Sequence, residues 1–309
     1  MSIFVGNMDI ESKLDAVSSV QDSFPCQYAA PYTRACIAAA LAGSIWRNGS
    51  FRLGNLAVKL EFCLPENGCE SYETAVEAGS DYLDGLGLTP EISISDSAGE
   101  MNLSVEVGIS SNNVGEPFQD QSYRYANPIM LNDGLASHLL PDLQSWIVYI
   151  PFDPSSFELG GSLYAGISGR EGEPAPQVAD PDYFLDCYEV VREFVEDGVA
   201  LSGCTVWRGG LAAALRSLSH GDIGINADLS DLSAASGETD SDRLLFAEVP
   251  GVLLQIRDSD FDYIDAELLL QDVAFYPLGH PVLNGRKVNV EIPGKNRIQS
   301  ILDSLINYC

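Results

Sequence analysis

The sequence predicts an α+β protein of two domains, on three observations. Strand-like and helix-like segments alternate without strict βαβ spacing, which suggests sheets with helices on one face. Two long segments carry helical apolar periodicity with recognisable ends. Between the two sets of elements runs a loop rich in Gln, Asn, Asp and Pro, residues 111–127, where a domain boundary is expected. The expected domains are therefore 1–115 and 116–309. With 309 residues, 46% of them hydrophobic, the chain is long enough for one large or two small cores.

Residues 1–30 read as irregular, with turn formers at Gly6-Asn7 and a Phe24-Pro25 step. The run Tyr32 to Leu41 is rich in small helix formers and predicts a helix packed closely on a sheet, ended by Gly43. Leu56 to Phe62 alternates as a strand does. Ser71 to Leu86 predicts an amphipathic helix: Tyr72, Ala75, Val76, Tyr82 and Leu83 share a face, Ser71 is the expected N-cap and Gly87 closes it. Ile92 to Ile94 and Leu103 to Ile109 alternate like paired strands.

Beyond the loop, Ser145 to Pro151 is a compact apolar strand. Asp180 to Asp197 is a second amphipathic helix, capped by Asp180 with Pro181 in its first position. Leu201 to Trp207 predicts a buried strand, and Gly209-Gly210 opens a helix over Leu211 to Leu218. A strand over Ile223 to Leu229, a polar insertion over Leu232 to Asp242, a strand over Val252 to Ile256 and a helix over Ser259 to Leu270 follow. In the mixed tail, Gly279-His280-Pro281 reads as a turn.

Charge narrows the possible partners. The chain has 45 acidic against 16 basic residues, a formal net charge of -29. Such a field repels nucleic acid and anionic membranes, and disfavours phosphorylated metabolites unless a cationic pocket or Mg2+ offsets it. A solvated acidic surface, attraction to a basic partner protein, and mimicry of DNA all remain open. No apolar run is long enough to span a bilayer, and Met1 to Ser12 lacks the pattern of a secretory signal, so a cytoplasmic protein is expected. The seven cysteines include no C-x-x-C; Cys63 and Cys69 flank a Pro-Glu-Asn-Gly turn and could pair in an oxidising setting. His138, His220 and His280 are widely separated in sequence, so a zinc site is not expected.

Two glycine pairs invite chemical readings. Gly160-Gly161-Ser162 could bring backbone N–H groups to a phosphate or could be an ordinary turn. Gly209-Gly210, between strand and helix, could hold an anion at a helix N-terminus or simply permit close packing. Taken in order with their neighbours, these segments resemble formylglycinamidine ribonucleotide synthetases, the glutamine amidotransferases of purine biosynthesis. Leu201 to Ala212 resembles that family's strand, its His-Asp-x-Ser-Asp-Gly-Gly-Leu turn and the helix that follows. Glu158 to Ser162 matches its Glu-Leu-Gly-Gly-Ser loop, Gly224 to Leu229 its next strand, and Leu245 to Gly251 its Leu-Phe-x-Glu-x-x-Gly segment. Arg34 to Leu41 and Asp84-Gly85-Leu86-Gly87-Leu88 fit the same half, so the likeness runs collinearly over about residues 15–260.

The resemblance implies an aminoimidazole-ribonucleotide-synthetase-like half, the second of two in the family enzyme. It would have an N-terminal α/β domain with a partial barrel sheet, its first strands cut short, and a C-terminal α+β domain, with no room for a glutaminase. It also implies where chemistry has been lost. Cys204 stands for His, Thr205 for the first Asp, Trp207 for Ser and Arg208 for the second Asp, while Ser95 replaces a lysine beside Asp96. Carboxylates are the hard ligands Mg2+ prefers, and Arg brings the opposite charge. Glu248 survives as a weak candidate metal ligand; Gly160, Gly161, Ser162, Arg208, Gly209 and Gly210 are candidates for residual anion or nucleotide binding.

No catalytic residue and no cofactor are expected on this reading. It is that of a pseudoenzyme, a virus-encoded modulator of a host protein being one setting. It would bind a partner through an exposed barrel edge, as a homodimer or docked on another, basic, protein. The alternatives are a subunit of a split synthetase, which would use Mg2+ with ATP or ADP, and an acidic decoy of a nucleic-acid-binding protein.

Overall fold

In a computed structural model of the protein, the structure describes residues 9–47, 52–66, 68–97, 99–109, 134–154 and 156–291. The expected boundary loop over 111–127 lies outside the described residues, as do Gly6-Asn7. The alternation read in Leu56 to Phe62 becomes β1 (Leu56–Pro65), which buries Leu56, Val58, Leu60 and Phe62 on one face. β1 is the centre of a three-stranded sheet. It pairs in parallel with β2 (Pro90–Ser97) and antiparallel with β3 (Asn102–Ile109). The two outer strands were expected to pair with each other; β1 lies between them because its buried face must align with apolar residues on both sides.

Two helices cover that face. α2 (Ala29–Ser44) is the small-residue helix, and α3 (Ser71–Gly85) packs along it. The approach is close: a Cβ on Gly79 of α3 would meet Thr33 Cγ2 of α2 at 3.0 Å. Ser71 does not cap α3. Glu70 holds the N-cap position, and Ser71 Oγ instead donates to the Cys26 carbonyl at 2.9 Å.

A six-stranded sheet runs in the order β5-β7-β4-β8-β6-β9. Its strands are β4 (Trp146–Pro151), β5 (Ala200–Val206), β6 (Ile223–Asp228), β7 (Gly251–Ile256), β8 (Tyr276–Leu283) and β9 (Val288–Glu291). All neighbours are antiparallel except β6 and β9. Helices were expected on one face, but both faces are covered. Val148, Ile150, Val252 and Leu254 face a core shared with α2 and with α5 (Pro181–Glu196), continuous with the core of the smaller sheet. Ile147, Tyr149, Leu253, Ile225 and Ala227 face a second core with α4 (Leu163–Ser168) and α6 (Gly210–Leu218). β7 is buried at every position, the pattern of a strand covered on two sides.

Three further expectations are corrected. Residues 10–18 are not irregular but form α1 (Ile10–Ser18), capped by Asp9, whose side chain accepts from Ser12 N at 2.8 Å. Leu14 and Val17 bury in the second core, so this short helix is held by tertiary packing that local propensity does not announce. The expected polar insertion over Leu232 to Asp242 is instead mostly helical, overlapping α7 (Ser230–Ser236) and the start of α8 (Ser241–Phe246), with Leu232 and Ser233 buried. Gly279-His280-Pro281 is not a turn but the middle of β8, paired with Ala227, Asn226 and Ile225. Gly279, at φ 137°, lets the strand lie against the Asn226 carbonyl where a Cβ could not. The last predicted helix starts late, as α9 (Phe261–Leu270), after a 3-10 turn over Asp258–Asp260.

Cys63 and Cys69 do not face each other. Cys63 Sγ lies 3.1 Å from Ser95 Oγ, and Cys69 faces Cys26. His138 and His220, distant in sequence, stack with ring centroids 4.3 Å apart. Among the described residues no group of three or more His, Cys, Asp or Glu is placed to hold a metal ion, and no helix is long and apolar enough to cross a membrane.

Candidate functional site

The site forms where β5 ends and α6 begins. Burial fixes the backbone there: Gly209 and Gly210 take φ of 80° and 66°, and a Cβ on Gly210 would sit 2.6 Å from the Leu245 carbonyl oxygen. This turn faces Gly160-Gly161-Ser162 at the start of α4 and Glu248 just before β7. The fold thus brings Gly160, Gly161, Ser162, Trp207, Arg208, Gly209 and Glu248 together from three separated stretches of chain.

Glu248 is 5% exposed, and both its oxygens are engaged. Its Oε1 accepts from the backbone N–H of Gly209 at 2.8 Å and of Leu163 at 3.0 Å; its Oε2 accepts from Arg208 Nη1. Burial pushes the Glu248 carboxyl up, opposed by the Arg208 charge and the two N–H donors. Burial also works against the Arg208 charge, but Glu248 and Asp22 outweigh it and raise its pKa above the ordinary arginine value.

Arg208 is held on every side. Its Nη1 also donates to the Gly161 carbonyl at 3.2 Å, and its Nε and Nη2 form a fork on the Asp22 carboxylate. The guanidinium carbon lies 5.2 Å from the Tyr32 ring centroid and 5.9 Å from that of Trp207. The two rings are themselves 5.9 Å apart. The cavity left beside Tyr28, Tyr32, Trp207 and Glu248 measures about 20 Å³, room for about one water molecule.

Most backbone N–H groups of the glycine loops are committed within the protein. Gly160 N donates to the Pro174 carbonyl at 2.7 Å, Ser162 N to Leu159 at 3.0 Å, and Gly210 N to Trp207 at 2.8 Å. Ser162 Oγ accepts from Ala165 N at 3.1 Å, capping α4. A Cβ on Gly160 would stand 2.6 Å from the Pro174 carbonyl oxygen, so this glycine serves close chain packing.

The remaining candidate residues have structural partners. Thr205 Oγ1 accepts from the Trp46 indole N–H at 2.9 Å. Cys204 Sγ lies 3.6 Å from the Ala214 carbonyl, and burial pushes its thiol up to about 12. Ser95 and Asp96 lie on edge strand β2 of the smaller sheet, Ser95 beside Cys63 and Asp96 exposed to solvent. Sequence reading missed Asp22 and Tyr32. The available signal was charge arithmetic: a half-buried arginine in so acidic a chain must collect carboxylates, though nothing in the sequence selects Asp22.

No family model matches the chain. Over 113 residues, 36% of its length, it is 32% identical to the phosphoribosylformylglycinamidine synthase subunit PurL of Methanocaldococcus jannaschii. Over 121 residues, 39% of its length, it is 26% identical to human phosphoribosylformylglycinamidine synthase. The chain is related to phosphoribosylformylglycinamidine synthase. The matched stretches span 15% and 9% of those two proteins, so most of each synthase has no counterpart in the match. The fold agrees: the solved Thermotoga maritima PurL complexed with FGAR superposes with a TM-score of 0.60 at 15% identity, over 88% of this chain and 42% of that one. The scaffold is that of one aminoimidazole-ribonucleotide-synthetase-like half of the synthase, an α+β fold with two mixed sheets.

Proposed function

We propose that the chain is a catalytically degenerate relative of phosphoribosylformylglycinamidine synthase that acts by binding another protein. One observation carries this reading: Arg208 occupies the position of a carboxylate in the resembled motif and is locked to Glu248 and Asp22. A cation there opposes Mg2+, and the N–H groups of Gly160, Ser162, Gly209 and Gly210 are committed to protein acceptors instead of an anion. Both Glu248 oxygens already accept hydrogen bonds from the protein, so a metal at Oε2 would compete with the Arg208 cation. ATP-dependent turnover of FGAR by the full chain is expected to be absent, and measurable turnover would overturn the reading.

The contact surface we assign is the edge of the smaller sheet. On β2, Ile92 is 37% exposed and Ile94 58% exposed, and among the described residues no strand pairs with its outer edge, a template for pairing. At a net charge of -29, two copies repel each other, whereas a basic protein from another chain is attracted. A homodimer would therefore strengthen with added salt and a heteromeric complex with a basic partner would weaken. Sedimentation at low and high salt distinguishes them, and Ile94→Lys should abolish either. A virus-encoded modulator in the host-cell cytoplasm is the biological setting we favour.

The second reading, a subunit of a split synthetase using Mg2+ with ATP or ADP, is favoured by the short share of each relative that is matched. Turnover appearing only when a catalytic half is added would select it.

A further inference from the structure

The smaller sheet carries a second cluster unrelated to Arg208. Cys26 lies in the 3-10 turn Cys26–Tyr28 ahead of α2, and Cys69 in the loop ahead of α3. Their Sγ atoms are 3.6 Å apart, although 43 residues separate them in sequence. Ser71 Oγ donates to the Cys26 carbonyl at 2.9 Å and pins the two loops in that register. Both thiols are free, Cys26 is exposed, and the pair stands beside an open recess of about 310 Å³ lined by Gln27, Pro31, Glu70 and Thr74.

We infer that Cys26 and Cys69 form a dithiol site for reversible oxidation to a disulfide by small neutral hydroperoxides. The gap to the ~2.05 Å of a disulfide bond is within reach of side-chain rotation and small loop adjustment. No other pair of described cysteines is placed so: Cys36 is beside Tyr32, Cys63 beside Ser95, Cys187 fully buried against the Pro151 carbonyl, and Cys204 faces Ala214 and Ser217.

The chemistry balances with one named oxidant. One cysteine sulfur attacks the hydroperoxide, the O–O bond breaks, and the leaving hydroxide (alkoxide, for an alkyl hydroperoxide) takes the thiol proton, giving a sulfenic acid and water or an alcohol. The second sulfur then displaces hydroxide from the sulfenic sulfur. That hydroxide leaves as water with the second thiol proton, and the disulfide remains. Each sulfur is oxidised by one electron equivalent, and the peroxide oxygens are reduced. Charge selects the oxidant class: anionic disulfides such as oxidised glutathione are repelled by the acidic chain and by Glu70 beside the pair, whereas hydrogen peroxide is neutral. Burial and the facing Cys69 hold the Cys26 thiol above its ordinary value, so the pair is no standing thiolate and responds to sustained oxidant.

The cross-link would act beyond the pair. The turn that carries Cys26 also carries Tyr28, whose hydroxyl reaches the Glu171 and Glu173 carbonyls next to the glycine loop of the larger sheet. Oxidation therefore ties α3, through this turn, to the segment bordering the Arg208 cluster. The site stands independently of the function proposed above.

The test treats the reduced full chain with hydrogen peroxide and follows it by intact mass, non-reducing peptide mapping and thermal melting. The expected result is loss of two hydrogen atoms, one cross-linked peptide joining Cys26 to Cys69, and full reversal by dithiothreitol. Closing a loop of this length should raise the melting temperature by roughly 5 °C. Cys26→Ser and Cys69→Ser should each abolish the cross-link, and Cys63→Ser should retain it. A Cys63–Cys69 linkage, oxygen addition at Cys26 without cross-linking, or no mass change would each overturn the inference.

Discussion

The Arg208 guanidinium and the buried Glu248 carboxylate form an ion pair at the turn between β5 and α6. Each depends on the other, because removing one partner leaves a charge desolvated without compensation. Arg208→Ala should therefore destabilise the protein by roughly 3 kcal/mol in chemical denaturation. The double variant Arg208→Ala/Glu248→Gln should lose less than the sum of the two single variants. Additive losses would show that the pair is not coupled.

Gly160 is a packing residue by its surroundings. Its N–H bonds to Pro174, and a Cβ would collide with the backbone of Pro174. Gly160→Ala should cost about 2 kcal/mol of stability, in the range of other overpacked sites. The same variant should leave anion and nucleotide titrations of the folded protein unchanged, which isothermal calorimetry can check.

Thr205 and Trp46 tie the larger sheet to the segment after α2 through one hydrogen bond at 2.9 Å. Thr205→Val keeps the shape and removes the acceptor, and should cost about 1 kcal/mol with an unchanged denaturant slope. A loss several-fold larger would mean that the hydroxyl has a role beyond this bond.

The cluster of Arg170, Glu173, Asp240 and Arg243 makes stability acid-sensitive. Burial works to raise the Glu173 carboxyl, but Arg170 and Arg243 bring it below its ordinary 4.5. Asp240 is likewise lowered from 3.8, by the Asp242 N–H and by Arg170 against its own burial. A carboxyl depressed in the folded state binds fewer protons there than in the unfolded chain. The stability it contributes is present above about pH 4.5 and is lost as pH falls through the lower folded value. Melting temperatures should fall on that acid limb, and Glu173→Gln should be less stable at neutral pH yet shallower below it.

Much of the fold was legible in the sequence. Period-two alternation gave β1 and period-3.6 apolar spacing gave α3 and α5, because each buries one face. α1 escaped, since Leu14 and Val17 are too sparse a pattern until the second core exists to receive them. β8 escaped because Gly279 and Pro281 read as breakers, whereas Gly279 is there for close approach to Asn226. At the site, Gly160 to Ser162, Arg208 to Gly210 and Glu248 were legible one by one. The partners of Arg208 were not: Asp22 is 186 residues from it, and ion pairing over that separation leaves no local signature.

On the proposed reading, Arg208, held by Glu248, Gly161 and Asp22, leaves no place for a nucleotide. The most direct measurement is a thermal melt of the full chain with saturating Mg2+-ATP, because a ligand at a hundred times its dissociation constant would add about 2.7 kcal/mol of stability. The melting temperature should be unchanged. A saturable upward shift that disappears when Arg208, Glu248 or Gly161 is substituted would contradict that reading.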